Sequence, residues 1–328
     1  MNIKKFLKDH NRETSLIIAL LLMVLIFSVI NPIYISIDNM KDIIEQATIY
    51  GLMALGMTSV IISGGIDLSV GSVLALICVI VAKFAVKGIP PVLCLLIGLV
   101  FGFVLGLING VLVSKMRLQP FIATLGTMSV YRGVAYTISQ GLPVINIPKD
   151  YRNLVNGELF PGSLRISIIF FLALAVIYFV ILTRTRFGNY TYAIGGNEDS
   201  ARLSGVKVDF NKIMIYAVGM LGTALAAMIY VGKLGSGEAT AGQGYELNAI
   251  AAVAIGGTSM AGGRGGIVGT ILGAILFSGL KVGLIVAGVD TFWQYIATGL
   301  VIILAAYVEI IQSKFNSVLI LKRKPVKN

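Results

Sequence analysis

Long uninterrupted apolar runs constrain this chain more than any other feature of its sequence. Several of them extend over about 17–23 residues, the length at which an α-helix crosses the hydrocarbon core of a bilayer. Hydrophobic residues make up 57% of the 328 residues and charged residues only 12%, a composition unlike that of a soluble domain. A transmembrane barrel would alternate apolar and polar residues with a period of two, and these runs do not. The pattern therefore predicts an all-α, polytopic transmembrane helical bundle.

These runs predict about ten spans. They are residues 14–30, 43–62, 68–86, 91–113, 120–138, 164–182, 212–231, 246–260, 266–287 and 292–311. The eighth is short and rich in glycine, so a re-entrant or broken segment is the alternative to a complete span there. The first run has no small-residue cleavage site after it, which favours a retained span over a removed signal peptide. The chain then divides into a leader at 1–13, one membrane domain at 14–311 and a basic tail at 312–328.

The distribution of charge orients the bundle. The formal net charge is +11, but the basic residues gather in loops and tails, which favours membrane orientation over nucleic-acid binding. An N-terminus outside the cell would also place the basic tail that begins at Lys322 outside, against the usual bias of basic residues toward the cytoplasm. We therefore expect both termini, and the polar loop at 183–211, to be cytoplasmic.

The polar loop 183–211 contains a short helix with a signal at each end. Asn197 is a good N-cap, and Glu198 and Asp199 place negative charge in the first turn, where the helix dipole favours it. Gly205 can take the left-handed conformation that ends a helix. Because a helix of about two turns is marginal in water by itself, we expect this one to pack against the membrane domain or another protein. An ordinary surface loop is the alternative.

Glycine recurs at every fourth residue in two of the predicted spans. The positions are Gly98, Gly102, Gly106 and Gly110 in the fourth span, and Gly265, Gly269 and Gly273 in the ninth. Small residues at this spacing let two helix backbones approach closely in lipid, where packing drives association. Both ladders are therefore predicted to pack helices together, within the bundle or at a subunit interface.

Two glycine-rich clusters, at residues 63–71 and 256–266, interrupt the apolar pattern. Irregular backbone near the membrane persists only where protein or water satisfies its polar groups, and in transport proteins such breaks mark solute pathways. The candidate pathway or gate residues are Gly64, Gly65, Asp67, Asn248, Gly256 and Gly257. Asp67 has two interpretations: an ionisable group that serves function close to hydrocarbon, or the N-cap of a helix that begins near Leu68.

Motifs for enzymatic chemistry are absent from the sequence. It has no Gly-x-x-x-x-Gly-Lys-Ser/Thr loop for phosphate, no Gly-x-Ser-x-Gly elbow and no His-Glu-x-x-His zinc motif. The single histidine, His10, cannot build a metal cluster, and Cys78 and Cys94 lie in apolar runs that are typical of buried thiols. We therefore predict no catalytic residue, no metal site and no ATP hydrolysis by this chain itself.

Few charged residues lie in the predicted spans, which disfavours a carrier driven by protons or sodium ions. Among them, Arg132, Lys281 and Glu246 lie near span ends or in weakly defined spans. An uncharged sugar would instead require hydroxyl partners and aromatic faces. The candidate partners are Gln46, Asn109, Thr124, Gln243 and Asn248. Each of them has an alternative partner in a backbone carbonyl four residues earlier or in a neighbouring helix. The largest predicted outer loop, Ser139 to Ser163, is either a simple connector or a segment that docks a partner or covers an entrance.

Four stretches of sequence carry a resemblance to a known family. They are GMTSVIISGGIDLSVG at 56–71, QPFIATL at 119–125, AIGGNE at 193–198 with RLSG at 202–205, and TAGQGYEL at 240–247 with GTSMAGG at 257–263. In this order they resemble the membrane permease subunit of bacterial ABC importers for monosaccharides, the ribose-type permease family. Together the stretches are specific to the family and much less specific to one sugar.

The resemblance implies a set of partners and a location. Two permease chains would form the pathway in a bacterial inner membrane, and cytoplasmic ATPase subunits would bind them and use ATP and Mg²⁺. A separate extracytoplasmic binding protein would deliver ribose or a related pentose or hexose. The resemblance also implies that a cytoplasmic coupling helix transmits closure of the ATPase. That role falls on Gly195, Gly196, Asn197, Ala201, Leu203, Ser204 and Gly205.

Two other classes of membrane protein are alternatives to this interpretation. An ion-coupled secondary sugar carrier would work without an ATPase and would respond to an imposed proton or sodium gradient. A structural or signalling membrane protein would transport nothing. Copurification of an ATPase through the 183–211 loop would favour the importer.

Overall fold

A computed structural model describes residues 11–160, 164–290, 292–301, 303, 304 and 307 of the chain. The predicted leader at 1–13 and tail at 312–328, together with His10, lie wholly or mostly outside the described residues. Within the described residues the regular secondary structure is helical, and β-pairing is limited to two isolated bridges. This agrees with the predicted all-α class.

The described helices follow the predicted spans closely. They are α1 (Asn11–Ile30), α2 (Ile37–Ile62), α3 (Val70–Val86), α4 (Pro91–Ser114), α5 (Pro120–Ser139), α6 (Lys149–Asn156), α7 (Ile166–Arg184), α8 (Arg186–Gly196), α9 (Glu198–Leu203), α10 (Val208–Leu234), α11 (Tyr245–Ile255) and α12 (Ile267–Val286). A 3-10 turn, Pro32–Ile35, separates α1 from α2. Residues 292–301 form one more helix, α13.

Five helices of the described chain are long and apolar enough to cross a membrane. They are Glu13–Ile30, Pro91–Ser114, Ile166–Arg184, Val208–Leu234 and Ile267–Val286. Helices α3 and α11 are apolar but shorter. A multi-pass membrane protein follows from these five, whereas the predicted total of about ten spans stays a prediction.

Helix α2 forms the centre of the bundle. Its residues from Ala47 to Ile62 are all buried, and it packs against α10, α11 and α12. The closest approach is to α10, where a Cβ atom added at Gly56 would overlap the carbonyl oxygen of Gly219 and one added at Gly222 would overlap that of Leu52. Spacing alone did not single out these three glycines, because they do not recur at every fourth residue of one helix.

The glycine ladder of α4 lies along the other side of α10. A Cβ atom added at Gly106 would lie 2.5 Å from the carbonyl oxygen of Tyr216, and one added at Gly110 would lie 2.6 Å from the Cα atom of Ile213. The ladder continues through Gly102, opposite Ala224, and Gly98, opposite Met228. The small residues therefore let α4 and α10 pack with their backbones almost in contact, as the spacing leads one to expect.

The second ladder differs in one member. A Cβ atom added at Gly269 or Gly273 of α12 would overlap a carbonyl oxygen at the end of α11, that of Gly256 or Ala252. Gly265, in contrast, lies in the loop before α12, which begins only at Ile267, and has a φ of 154°. The fourfold spacing extended the helix too far toward the N-terminus, because a repeat of glycine does not mark where a helix begins.

The predicted outer loop is more ordered than a simple connector. It contains α6, whose Tyr151 and Val155 side chains are buried against the bundle. The Tyr151 hydroxyl donates a hydrogen bond to the carbonyl oxygen of Met228 at 3.1 Å, and Val144 pairs with Gly237 in an antiparallel bridge. The loop therefore covers the end of the bundle opposite to α8 and α9.

Substituting Gly106 with valine is expected to lower the free energy of unfolding by about 1–3 kcal/mol, the usual cost of over-packing. The added Cβ atom would meet backbone atoms of α10, which cannot rotate away. Gly126→Val in α5 is the matched control, because no described heavy atom lies within 4 Å of the added Cβ atom there. The stability of both variants is measured as the melting temperature in detergent. Equal melting temperatures would contradict the close packing of α4 on α10.

Candidate functional site

The polar loop between α7 and α10 folds into two helices, of which only the second was predicted. Helix α8 begins after Thr185, whose hydroxyl accepts a hydrogen bond from the Gly188 backbone N–H at 3.3 Å. Asn197 ends α8 and begins α9, and its side chain accepts a hydrogen bond from the Ser200 backbone N–H at 2.8 Å. Gly205 then takes a φ of 83°, which ends α9 as its sequence indicates.

Ion pairs hold α9 against the start of α10. Arg202 pairs with Asp209 at 2.8 Å and with Glu198 at 3.5 Å, and Lys212 also pairs with Glu198. These carboxylates, Asp209 first, raise the pKa of the Arg202 guanidinium above its usual value. Such exposed pairs contribute little stability each, but together they fix the orientation of α9 relative to the start of α10.

Helix α9 has one buried and one exposed apolar residue. Ala201 is buried in a small cluster with residues of α4 and α10, whereas Leu203 is 90% exposed. A leucine that protrudes from a charged surface can bind in an apolar pocket of a partner protein. The helix therefore presents an apolar anchor on a rigid support.

Glycines from three separate segments meet immediately before α9. The carbonyl oxygen of Ile62, at the end of α2, accepts a hydrogen bond from the Gly263 backbone N–H at 2.8 Å. A Cβ atom added at Gly195 would overlap that same oxygen, and one added at Gly263 would lie 3.0 Å from the Cα atom of Gly196. We name this contact of residues 62–65, 195–196 and 262–263 the glycine junction. It joins α9 to both glycine-rich clusters of the sequence.

The candidate gate residues occupy different places around this junction. Gly64 has a φ of 83°, and a Cβ atom added at Gly262 would lie 3.1 Å from its Cα atom. Gly65 lies against the Tyr216 hydroxyl of α10, and Gly256 lies against Gly269 of α12. Gly257 has a φ of 83° at the end of α11. Asn248 is separate from them, on α11.

Asp67 lies in a buried polar network beside the junction. Its side chain is 1% exposed, and one carboxylate oxygen accepts hydrogen bonds from the backbone N–H and the hydroxyl of Ser69, at 2.9 and 2.7 Å. The other oxygen accepts one from the Asn109 amide at 3.0 Å. Tyr131 donates in turn to the Asn109 carbonyl at 3.1 Å. The network thus ties the loop before α3 to α4 and α5.

The interpretation of Asp67 as an N-cap needs correction. Helix α3 begins at Val70, and Ser69 occupies the cap position. Asp67 instead accepts the Ser69 N–H two residues along the chain, as aspartate commonly does in turns. The sequence misplaced the start of α3 by two residues because the apolar run continues through Leu68.

Substituting Asn109 with leucine is expected to destabilise the protein by about 1–3 kcal/mol, the cost of leaving a buried polar group without its partner. The substitution removes the amide donor to Asp67 and the acceptor for Tyr131. Tyr131→Phe, which leaves the Asp67 carboxylate fully bonded, is the control and should cost only about 0.5–1.5 kcal/mol. Thermal unfolding in detergent distinguishes the two, and an Asn109→Leu variant as stable as Tyr131→Phe would contradict this account.

The candidate sugar partners lie in different parts of the bundle. Asn109 belongs to the Asp67 network, and the Thr124 hydroxyl donates to the carbonyl oxygens of Pro120 at 2.8 Å and Ile66 at 3.3 Å. The side-chain oxygen of Gln46 is buried without a hydrogen-bond partner among the described residues. Gln243 and Asn248 line a cavity. The structure therefore brings only the last two together.

This cavity lies where a segment of turns becomes helix α11. Residues 235–244 run without regular helix along α3: Gly237 lies against Cys78 and Ala82, and Gly242 lies against Gly71 and Leu74. Gly242 and Gly244 have φ values of 66° and 79°, and α11 then runs for only 11 residues. The predicted eighth span, 246–260, is thus a short helix, α11, preceded by an irregular segment, and the two together form the kind of broken segment that lines pathways in transport proteins.

The cavity has a volume of about 220 Å³ and is lined by α11, α12 and α13. Its polar lining residues are Gln243, Asn248, Lys281, Gln294, Tyr295 and Thr298. The Lys281 ammonium lies 5.1 Å from the centre of the Tyr50 ring and donates a hydrogen bond to the Tyr50 hydroxyl at 3.2 Å. Tyr50 also packs edge-to-face on Tyr245, with ring centres 4.9 Å apart.

Comparison with known proteins identifies the family. A family described as branched-chain amino acid transport system / permease component matches residues 39–306. The chain belongs to this permease family. The glycine junction, the Asp67 network and the broken eighth span all lie within the matched region.

Individual members of the permease family are similar over most of their length. A ribose import permease protein of Bacillus subtilis (strain 168) is 44% identical over 292 residues, which are 89% of this chain and 91% of its own. One of Escherichia coli (strain K12) is 40% identical over 315 residues, 93% and 95% of the two chains. A galactose/methyl galactoside import permease protein of the same strain is 35% identical over 322 residues, 93% and 96%. No solved structure matches the chain.

Sequence reasoning about this permease missed the aromatic and cationic side of the cavity. Lys281 was recognised only as a charge in a weakly defined span, and Tyr50 was not singled out. Both lie in long apolar helices whose pattern indicates burial but not which helices meet. A signal was nevertheless present, because a lysine inside an apolar run is costly and often functional.

Proposed function

We propose that this chain is the membrane permease subunit of an ATP-driven importer for a monosaccharide, with ribose as the first candidate substrate. The observation that carries the proposal is the 44% identity to a ribose import permease protein over 89% of the chain. The relative that imports galactose is less similar, at 35%, which supports a pentose as the first sugar to test. The chain itself would transport without hydrolysing ATP.

The proposal includes the arrangement in the membrane. The chain would cross the bacterial inner membrane about ten times with both termini in the cytoplasm, as one membrane domain at 14–311 between the leader and the tail. Helices α8 and α9 would then face the cytoplasm, and α6 would face outward. The basic residues of α9 and its neighbours, among them Arg202 and Lys207, agree with the usual charge bias.

The proposed partners are three. A second copy of the permease would complete the pathway, and an extracytoplasmic binding protein would deliver the sugar. Cytoplasmic ATPase subunits, which use ATP and Mg²⁺, would bind residues 195–205. The exposed Leu203 supports this last contact, because it offers a partner an apolar anchor on an otherwise charged helix. No cofactor would be bound by the permease chain.

Uptake of labelled ribose tests the proposal. Cells that lack the gene are compared with cells in which it is restored, with unlabelled galactose, allose and xylose as competitors. We expect uptake to return, to fail when ATP is depleted and to survive an ionophore that abolishes the proton gradient. Uptake that needs no ATPase and stops with the ionophore would identify a secondary carrier. Restored cells that take up no labelled ribose would overturn the ribose assignment.

A further inference from the structure

We propose that the cavity at the break of the eighth span is a transient binding site for one neutral monosaccharide during its passage through the permease. This inference rests on the proposed function and adds to it a place and a recognition chemistry. Three properties of the cavity carry it: its position, its lining and its connection to the glycine junction.

The position of the cavity satisfies what a pathway site requires. Non-helical backbone at membrane depth is tolerated only where protein or water satisfies its polar groups. Residues 235–244 meet this condition on one side by packing along α3, and the cavity lies where this segment turns into α11. The 220 Å³ volume is below the roughly 300–1,000 Å³ of sites for drug-sized ligands, which suits a smaller solute.

The lining matches a polyhydroxyl compound. Amides from Gln243, Asn248 and Gln294 can each donate and accept hydrogen bonds, so they can pair with hydroxyl groups in either direction. The rings of Tyr245 and Tyr295 add apolar faces against which the C–H side of a sugar ring can lie. Such mixed surfaces bind a neutral polar solute without requiring it to carry charge.

The charges of the cavity argue against an amino acid, the solute class in the description of the family. None of the described residues that line the cavity is acidic, so an α-ammonium group would find no counter-ion there. Lys281, the one cation among these described lining residues, is already held over the Tyr50 ring and by the Tyr50 hydroxyl. Its remaining N–H groups can still donate to a sugar hydroxyl.

The cavity is also connected to the proposed ATPase contact. Helix α11 begins at the cavity and ends at Ile255, and the loop that follows it contributes Gly262 and Gly263 to the glycine junction, next to α9. A shift of α9 would therefore reach the lining residues through one loop and one helix. This is a contiguous packed route of the kind that conformational coupling requires.

Protection of an introduced cysteine tests occupancy directly. The two native cysteines are both buried, so a near-isosteric Thr298→Cys variant supplies the reactive thiol for a small water-soluble methanethiosulfonate reagent. We expect millimolar ribose or galactose to slow its labelling at least threefold in membranes that contain the permease. Leucine and ribose 5-phosphate should have no effect. Labelling of Leu142→Cys, 67% exposed outside the cavity, is the control and should not respond to any of these solutes.

A cavity-filling substitution tests whether the site lies on the route. Gly299 lines the cavity, and no described heavy atom lies within 4 Å of a Cβ atom added there, so Gly299→Phe should fill the space without displacing backbone. We expect at least a tenfold loss of sugar uptake with an unchanged melting temperature, whereas Gly126→Phe should keep both.

The outcomes separate this inference from the proposed function. Normal uptake by Gly299→Phe, together with labelling of Thr298→Cys that no transported sugar slows, would overturn the site and leave the importer standing. Protection by leucine instead of sugar would overturn the recognition chemistry. Absence of sugar uptake by the unsubstituted permease would overturn the proposed function, and protection of Thr298→Cys would still report whether sugar enters the cavity.

Discussion

Replacing Leu203 with aspartate is expected to lower ATP-dependent sugar uptake at least tenfold while the permease remains inserted in the membrane. Leu203 is 90% exposed at the end of α9, so the substitution should not disturb the fold of the isolated chain. Burial of a leucine side chain in an interface contributes about 1.5–3 kcal/mol, and each step of roughly 1.4 kcal/mol changes an association constant tenfold. A carboxylate in place of the leucine would add a desolvation cost.

The measurements are initial uptake and the amount of ATPase that copurifies with the tagged permease. Leu203→Met is the matched control, because it keeps an apolar side chain of similar volume and should retain both uptake and ATPase. Leu142→Asp, at the opposite end of the bundle, should retain the ATPase. A Leu203→Asp variant that still holds the ATPase as tightly as the unsubstituted permease would contradict the coupling role of α9. A variant that is absent from the membrane would indicate a structural role for Leu203.

Replacing Gly195 with alanine is expected to give the second large effect, a loss of both stability and transport. The added methyl group would overlap the Ile62 carbonyl oxygen and lie 2.7 Å from the Gly263 backbone nitrogen, so it would separate two segments that now share a hydrogen bond of 2.8 Å. Over-packing costs about 1–3 kcal/mol, and loss of the hydrogen bond about 0.5–1.5 kcal/mol more. We expect uptake to fall with stability because the glycine junction connects α9 to α11.

The neighbouring glycine provides an unusually close control. Gly196→Ala makes the same chemical change one residue later on the same helix, and no described heavy atom lies within 4 Å of the added Cβ atom. The gain in helix propensity from glycine to alanine, about 1 kcal/mol, is common to both variants and cancels in the comparison. The melting temperature in detergent should therefore fall clearly for Gly195→Ala and hardly at all for Gly196→Ala. Equal melting temperatures would contradict the close contact of Gly195 with the Ile62 carbonyl oxygen in the glycine junction.

Local signals explain why α9 was predictable. Its N-cap, its acidic first turn and its terminal glycine act on atoms within a few residues of one another, so the sequence contains all the interacting groups. The same holds for the long spans, since a helix exposed to hydrocarbon must satisfy its own backbone polar groups whatever its neighbours are. Helix α8 was missed because its first turn has no acidic residue and its two terminal glycines lie within its last turn instead of after it. Gly265 was assigned to a helix because its four-residue spacing from Gly269 is the same whether it lies in the helix or in the loop before it.

The sequence by itself determined the all-helical class, the membrane setting, the capped helix at Asn197 and the family to which the permease belongs. Each of these depends on local periodicity or on a pattern of residues along the chain. Only the tertiary structure brought Gly195, Ile62 and Gly263 into one junction, placed Asp67 in a buried network with Asn109, and joined Lys281, which is held against Tyr50, to Gln243 and Asn248 at one cavity. These groups are far apart in sequence, and the packing of helices against one another decides which of them meet.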